Sequence, residues 1–172
     1  MTPEVFGRVP AIKEMAIVCT LNNKSDIVFE NGKYNKQGEP TEAALKVVAE
    51  KMGKYDREFQ RTSSSKPTAY ADHLRKTIKT VATLDFTSER KTMSTIVTGI
   101  ENGNRNTLLL KGAPERVIEK SKNYKKEDGT LQEFTEAEKQ NLISKIQAFA
   151  KEGLRVLGVG LIYGAGDLSD LN

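Results

Sequence analysis

Apolar residues recur at three- and four-residue spacing in several stretches of the chain, and each such stretch predicts a helix with one apolar face. The first runs from Pro10 to Thr20, with Ile12, Met15, Ala16 and Cys19 on the stripe. The second follows Thr41, a side chain able to cap a helix whose apolar positions are Ala44, Leu45, Val48, Ala49 and Met52 and whose stop is Gly53. Thr68 to Lys79 repeats the pattern through Ala71, Leu74 and Ile78, and the stretch from about Glu136 to Lys151 does so through Leu142, Ile143, Ile146 and Phe149. This last helix opens on Thr135 and Glu138, the spacing of a capping box, and closes at Gly153.

Between the helices the pattern shortens to β-type runs: Thr80 to Phe86, Thr92 to Ile100, Asn106 to Leu110, and Leu154 to Tyr163. Ile27-Val28-Phe29 and the turn Glu30-Asn31-Gly32-Lys33-Tyr34 predict a short hairpin, because Asn-Gly accepts the positive φ angles of a tight turn. Glu101-Asn102-Gly103-Asn104 reads as a second hairpin loop, and the polar run from Arg61 to Pro67 as the longest flexible one. Hairpins joined by helical crossovers, with no Gly-x-Gly-x-x-Gly fingerprint, predict an α+β fold built on a twisted, mainly antiparallel sheet flanked by helices. No internal repeat is visible, and 172 residues fit one domain spanning 1–172.

Composition narrows the classes. Hydrophobic residues make up 37% of the chain, enough for a modest core. The 27 basic and 23 acidic residues are spread along the sequence, so the net charge of +4 describes a mixed surface rather than a nucleic-acid stripe. Even the densest basic cluster, Lys120 to Lys126, runs straight into Glu127 and Asp128 and reads as a solvated turn. Cys19 is the single cysteine, which rules out an intrachain disulfide and, with its apolar neighbours Ile17 and Val18, predicts a buried thiol in a cytosolic setting. No signal peptide and no stretch of roughly 18 apolar residues is present, so the chain is expected to be soluble, monomeric and without direct membrane contact.

Several side chains then stand out against their surroundings. Lys111 follows the apolar run Thr107 to Leu110, and a lysine where a buried strand ends either snorkels to solvent or faces a ligand. Gly112 and Ala113 leave room for a close approach, and Pro114 sits at a natural first helical position. Phe86 closes a strand beside a polar turn, where it can be core or can project into a cleft. Strand alternation sets Lys91 on one face with Met93, and Arg90 on the other. Glu42 in a first helical turn is equally what a helix dipole favours without any ligand. Arg155 is a cation at the start of an apolar strand, able to grip a phosphate in bidentate fashion. His73, in a charged helix with no second ligand at metal spacing, reads as an exposed surface residue without chemistry.

Three blocks together carry more. Gly38-Glu39-Pro40-Thr41-Glu42-Ala43-Ala44-Leu45, Asp85-Phe86-Thr87-Ser88-Glu89-Arg90-Lys91-Thr92-Met93-Ser94 and Lys111-Gly112-Ala113-Pro114-Glu115, in this order, closely resemble the nucleotide-binding domain of type II P-type cation-transporting ATPases. The likeness covers nearly the whole chain and is greatest to calcium pumps of the sarco/endoplasmic reticulum kind. It implies ATP as ligand: Phe86 stacking on adenine, Glu42 bonding its amino group, Lys91 approaching the nucleotide, Lys111 closing the far end of the cavity with Gly112 and Ala113 letting the ring come near, and Arg155 at the phosphates. Ser88 departs from the arginine that calcium pumps commonly carry there, so one phosphate-facing cation is missing or replaced. The family's phosphorylated-aspartate, dephosphorylation and magnesium-site sequences are missing from this chain. The resemblance therefore implies a fragment of a longer membrane pump that binds ATP without turning it over, with magnesium held mainly by other domains. Its partners would be the phosphorylation and actuator domains on the cytosolic face of a membrane, the endoplasmic reticulum first among candidates. A sodium/potassium or proton pump domain, or a non-enzymatic interaction module, are the alternatives.

Overall fold

In the computed structural model, which describes residues 2–59, 66–101 and 105–166, all strand pairing is antiparallel, as the pattern of hairpins predicts. The main sheet has four strands in the order β3 (Lys79–Leu84), β4 (Thr92–Thr98), β5 (Thr107–Gly112) and β8 (Gly158–Ile162). Two small hairpins stand apart: β1 (Asp26–Glu30) with β2 (Lys33–Gln37), and β6 (Asn123–Lys125) with β7 (Leu131–Glu133). At the first of them Asn31 and Gly32 take φ of 53° and 75°, the left-handed pair that an Asn-Gly turn supplies.

Helices fill the intervals. Short α1 (Pro3–Arg8) leads into α2 (Pro10–Leu21), which packs against α3 (Pro40–Gly53), α4 (Ala69–Thr77) and one face of the sheet. The core gathers Ile17, Val18 and Leu21 of α2, Met52 of α3, Tyr70 and Leu74 of α4, and Val97 and Leu109 of the sheet. On the far flank α5 (Pro114–Lys120) lies against β8, and α6 (Glu136–Lys151) lies on α5. The capping box of α6 is formed in both directions by Thr135 and Glu138, and Gly153 ends it at φ 77°.

Several expectations are corrected. Helix α3 begins at Pro40 with Glu39 as its N-cap, so Thr41 is already inside the first turn and caps nothing. Pro40 explains the shift, since its fixed φ and missing N–H suit the first helical position. Gly53 does end α3, but with the ring of Tyr70 so close that a Cβ would lie 2.3 Å from it. Helix α1 was not anticipated. Lys120 to Lys126 is not a solvated turn: it carries β6, and Lys125 pairs with Glu14 and lies 5.4 Å from the Tyr163 ring centre. His73 is half-buried rather than exposed, packed against the rings of Phe59 and Tyr70. The expected loops at 61–65 and 102–104 lie outside the described residues.

Candidate functional site

The short connector between α2 and β1 organises one end of the sheet. Asn22 is fully buried; its amide donates to the carbonyls of Met93 and Leu109, and its oxygen accepts from the Thr95 hydroxyl at 3.0 Å. Asn23 donates to the carbonyls of Cys19 and Glu42, at 2.9 and 2.7 Å, and accepts from the Ser25 N–H. A polar segment thus fastened to two strands and two helices has little freedom, because each bond would otherwise leave a buried polar atom unpaired.

Glu42 sits at the centre of this arrangement, in the first turn of α3. Its Oε2 accepts the backbone N–H of Lys24 at 3.0 Å, and its Oε1 forms an ion pair with Lys111 Nζ. Lys111 stands near the end of its strand, as the sequence suggests, one residue before β5 closes at Gly112. It lies within β5, between Met93 and Val159 across the sheet, with only 8% of its side chain exposed. Glu42 is what makes that burial tolerable, since an ammonium without a partner there would cost several kcal/mol.

Strand β3 ends at Leu84, so Phe86 is not a strand residue; it lies in the following turn with 59% of its surface exposed. Asp85 just before it pairs with Lys24, at 2.5 Å between Oδ1 and Nζ, and Arg90 turns back to donate to the Asp85 carbonyl. Lys91 closes the turn. Its N–H donates to the Thr87 carbonyl at 2.7 Å and its φ is 53°, so it precedes β4 in a left-handed conformation rather than alternating with Met93 on a strand face. The exposed side chain of Lys91 is thereby freed from the sheet's two-residue rhythm.

Gly112 turns out to admit the protein's own backbone. A Cβ there would fall 2.3 Å from the Lys91 carbonyl oxygen and 2.7 Å from Thr92 Cα, and the same carbonyl accepts the Ala113 N–H at 2.9 Å. The room that Gly112 leaves is therefore occupied by the Lys91 turn. Ala113 serves as the N-cap of α5, with Pro114 at the first helical position as expected. Arg155 precedes β8 by three residues rather than opening it, and its guanidinium donates to the Thr41 hydroxyl at 3.1 Å, beside Glu42 on the first turn of α3.

Glu42, Lys111, Gly112, Ala113 and Lys91 are thus joined by direct contacts, Arg155 by Thr41, and Phe86 by Asp85 and Lys24. Lys24 and Asn23 were missed by the sequence reading, because Asn22-Asn23-Lys24-Ser25 has the composition of any polar loop. Two clefts lie elsewhere. One, of about 430 Å³, opens between Lys13, Asp56, His73 and Tyr163; the other, of about 350 Å³, lies between α5 and α6 and touches this cluster only through Arg155. In the larger of these two clefts Lys13 pairs with Glu58, Asp56 accepts from the Tyr70 hydroxyl, and Glu14 is held by Lys125 and Tyr163. Among the described residues no three His, Cys, Asp or Glu side chains come together to hold a metal ion, and no helix is long and apolar enough to cross a membrane.

Comparison with known proteins meets this geometry. The sequence pattern described as P-type ATPase, cytoplasmic domain N, matches residues 11–166. Calcium-transporting ATPase 2, endoplasmic reticulum-type, of Arabidopsis thaliana is 34% identical over 169 residues, which cover 92% of this chain and 16% of that protein. The endoplasmic reticulum calcium ATPase srcA of Aspergillus fumigatus is 30% identical over 159 residues, covering 88% and 16%. Calcium-transporting ATPase 3, endoplasmic reticulum-type, of Arabidopsis thaliana is 31% identical over 168 residues, covering 92% and 16%. The chain spans about one sixth of the length of these relatives.

Proposed function

The chain belongs to the P-type ATPase cytoplasmic domain N family, and on that premise we propose that it binds ATP through the adenine ring and presents the γ-phosphate to an aspartate in a neighbouring domain of a calcium-transporting pump. The observation that carries this reading is a linked set of groups from separate parts of the sequence: the buried Lys111–Glu42 pair and the Arg155–Thr41 contact at the first turn of α3, the exposed Phe86 tied to Glu42 through Asp85 and Lys24, and the exposed Lys91 seated on Gly112 and Ala113. An adenine site asks for this set: a flat apolar surface for stacking, a few polar groups for the edge of the base, and positive charge along the phosphates.

In this role Phe86 stacks on the base, Glu42 and Lys111 meet its polar edge, and Lys91 and Arg155 face the phosphate chain. Gly112 and Ala113 contribute through the backbone, by seating the Lys91 turn against β5. The domain's share of catalysis is positioning, and no step of the role runs through a metal held by these residues. The parent would be a longer protein of an endoplasmic-reticulum membrane, with this domain on the cytosolic face and the phosphorylation and actuator domains as partners. The calcium assignment follows the names of the relatives.

Calorimetric titration of the chain tests the reading. A stacked ring and a few solvated cations supply roughly 4 to 6 kcal/mol, so ATP should bind with a Kd of ~0.1 to 1 mM. Removing magnesium should change this little, and pyrophosphate should compete poorly. Equal competition by pyrophosphate would overturn the adenine site in favour of a general polyanion surface.

A further inference from the structure

We propose that Lys24 is a positioning residue for the nucleotide site, holding the Phe86-bearing turn in register with Glu42 and Lys111 through its ion pair with Asp85; the inference rests on the ATP-binding reading above. Asp85 is gripped twice, at its carboxylate by Lys24 and at its carbonyl by Arg90. Arg90 belongs to the same turn and can close the loop only upon itself. Lys24 is the side-chain tie from the aromatic side of the turn to the connector between α2 and β1, while the far end of the turn is seated on β5 through the Lys91 carbonyl and the Ala113 N–H.

The anchor at the other end is firm. Lys24 donates its own N–H to Glu42 and lies between Asn23, bonded to α2 and α3, and Ser25, whose hydroxyl donates to the Glu39 carbonyl at 3.1 Å. One residue thus touches the polar edge of the site with its backbone and the aromatic side of it with its ammonium. The side chains of Lys24 and Asp85 are 59% and 62% exposed, so the pair contributes little to folding. What it fixes is where an exposed phenylalanine stands when a base arrives, and pre-setting that position reduces the ordering cost of binding.

Charge reversal separates positioning from simple attraction of an anion. In Lys24→Glu, and equally in Asp85→Lys, the affinity for uncharged adenosine should fall about three- to fivefold, the scale of a single exposed ion pair. The Lys24→Glu/Asp85→Lys double variant, with the wild-type net charge and the pair reversed, should recover to within about twofold. The milder Lys24→Met should lose about twofold, and thermal unfolding should be unchanged throughout because the pair is exposed. Loss of ATP affinity with adenosine affinity intact would mean that Lys24 acts only through its charge, and would overturn the proposal, as would a double variant no better than the singles. A wild-type chain that binds no adenosine would overturn the nucleotide reading itself, whereas wild-type binding indifferent to Lys24 would overturn this inference alone.

Discussion

Lys111 and Cys19 show how far burial alters a side chain in this molecule. The Cys19 thiol, 3% exposed on α2, is pushed up from 9.0 to about 11 by burial, while the charge of Lys111 pulls it back the other way. The consequence for stability has a definite sign. Between pH 9 and 11 the unfolded chain has lost the thiol proton while the folded chain keeps it, so the unfolded state binds fewer protons and stability falls as pH rises. The loss is on the order of 2 to 3 kcal/mol over that window. Urea unfolding of wild type and Cys19→Ala at pH 8 and pH 11 should therefore converge at the higher pH; parallel losses in both would show that the thiol is not the cause. At this scale the sequence was informative about Cys19, whose apolar neighbours announce burial. It left Lys111 ambiguous, because its partner Glu42 lies far away in sequence and no local pattern joins them.

The crossing of the Lys91 turn over β5 belongs to the scale of elements. Gly112 is required there because the Lys91 carbonyl and Thr92 backbone occupy the place of a side chain, and backbone atoms cannot swing aside as the end of a flexible side chain does. Gly112→Ala should cost about 2 to 3 kcal/mol, read as a lower urea midpoint, and should weaken ATP binding by displacing Lys91. An alanine variant as stable as wild type would show that the two strands separate without penalty. The long periodic elements were legible from sequence: α2, α3, α4 and α6 fall close to their expected ranges, and the α6 capping box is formed as read. Elements of three to six residues such as β6, β7 and α1 escaped, since so short a segment shows no period and is fixed by what it packs on. Strand alternation failed at Lys91 for a related reason. Its left-handed φ breaks the two-residue rhythm, and only the neighbouring glycine on β5 makes room for that conformation.

Across the whole molecule, shape and chemistry point to different places. One cleft lies on the α2 and α4 side and another between α5 and α6, while the side chains singled out by sequence are linked, directly or through Lys24, Gly112 and Ala113, to the Lys111–Glu42 pair at the first turn of α3. Three sequence blocks located that cluster because each lies at the end of an element where chemistry is carried by residue identity; its scaffold, Asn22 to Ser25, was invisible because its bonds reach across 71 and 87 residues to Met93 and Leu109. On the reading proposed above, ATP binds at the cluster rather than in either cleft. Amide chemical-shift mapping of the isotopically labelled chain during ATP titration, repeated on Phe86→Ala and Lys111→Ala, tests it directly. Shifts should centre on Glu42, Phe86, Lys91 and Lys111 and vanish in both variants while the rest of the spectrum stays folded. Shifts centred on His73 and Tyr163, or on Ile146 and Leu154, that persist in both variants would contradict it.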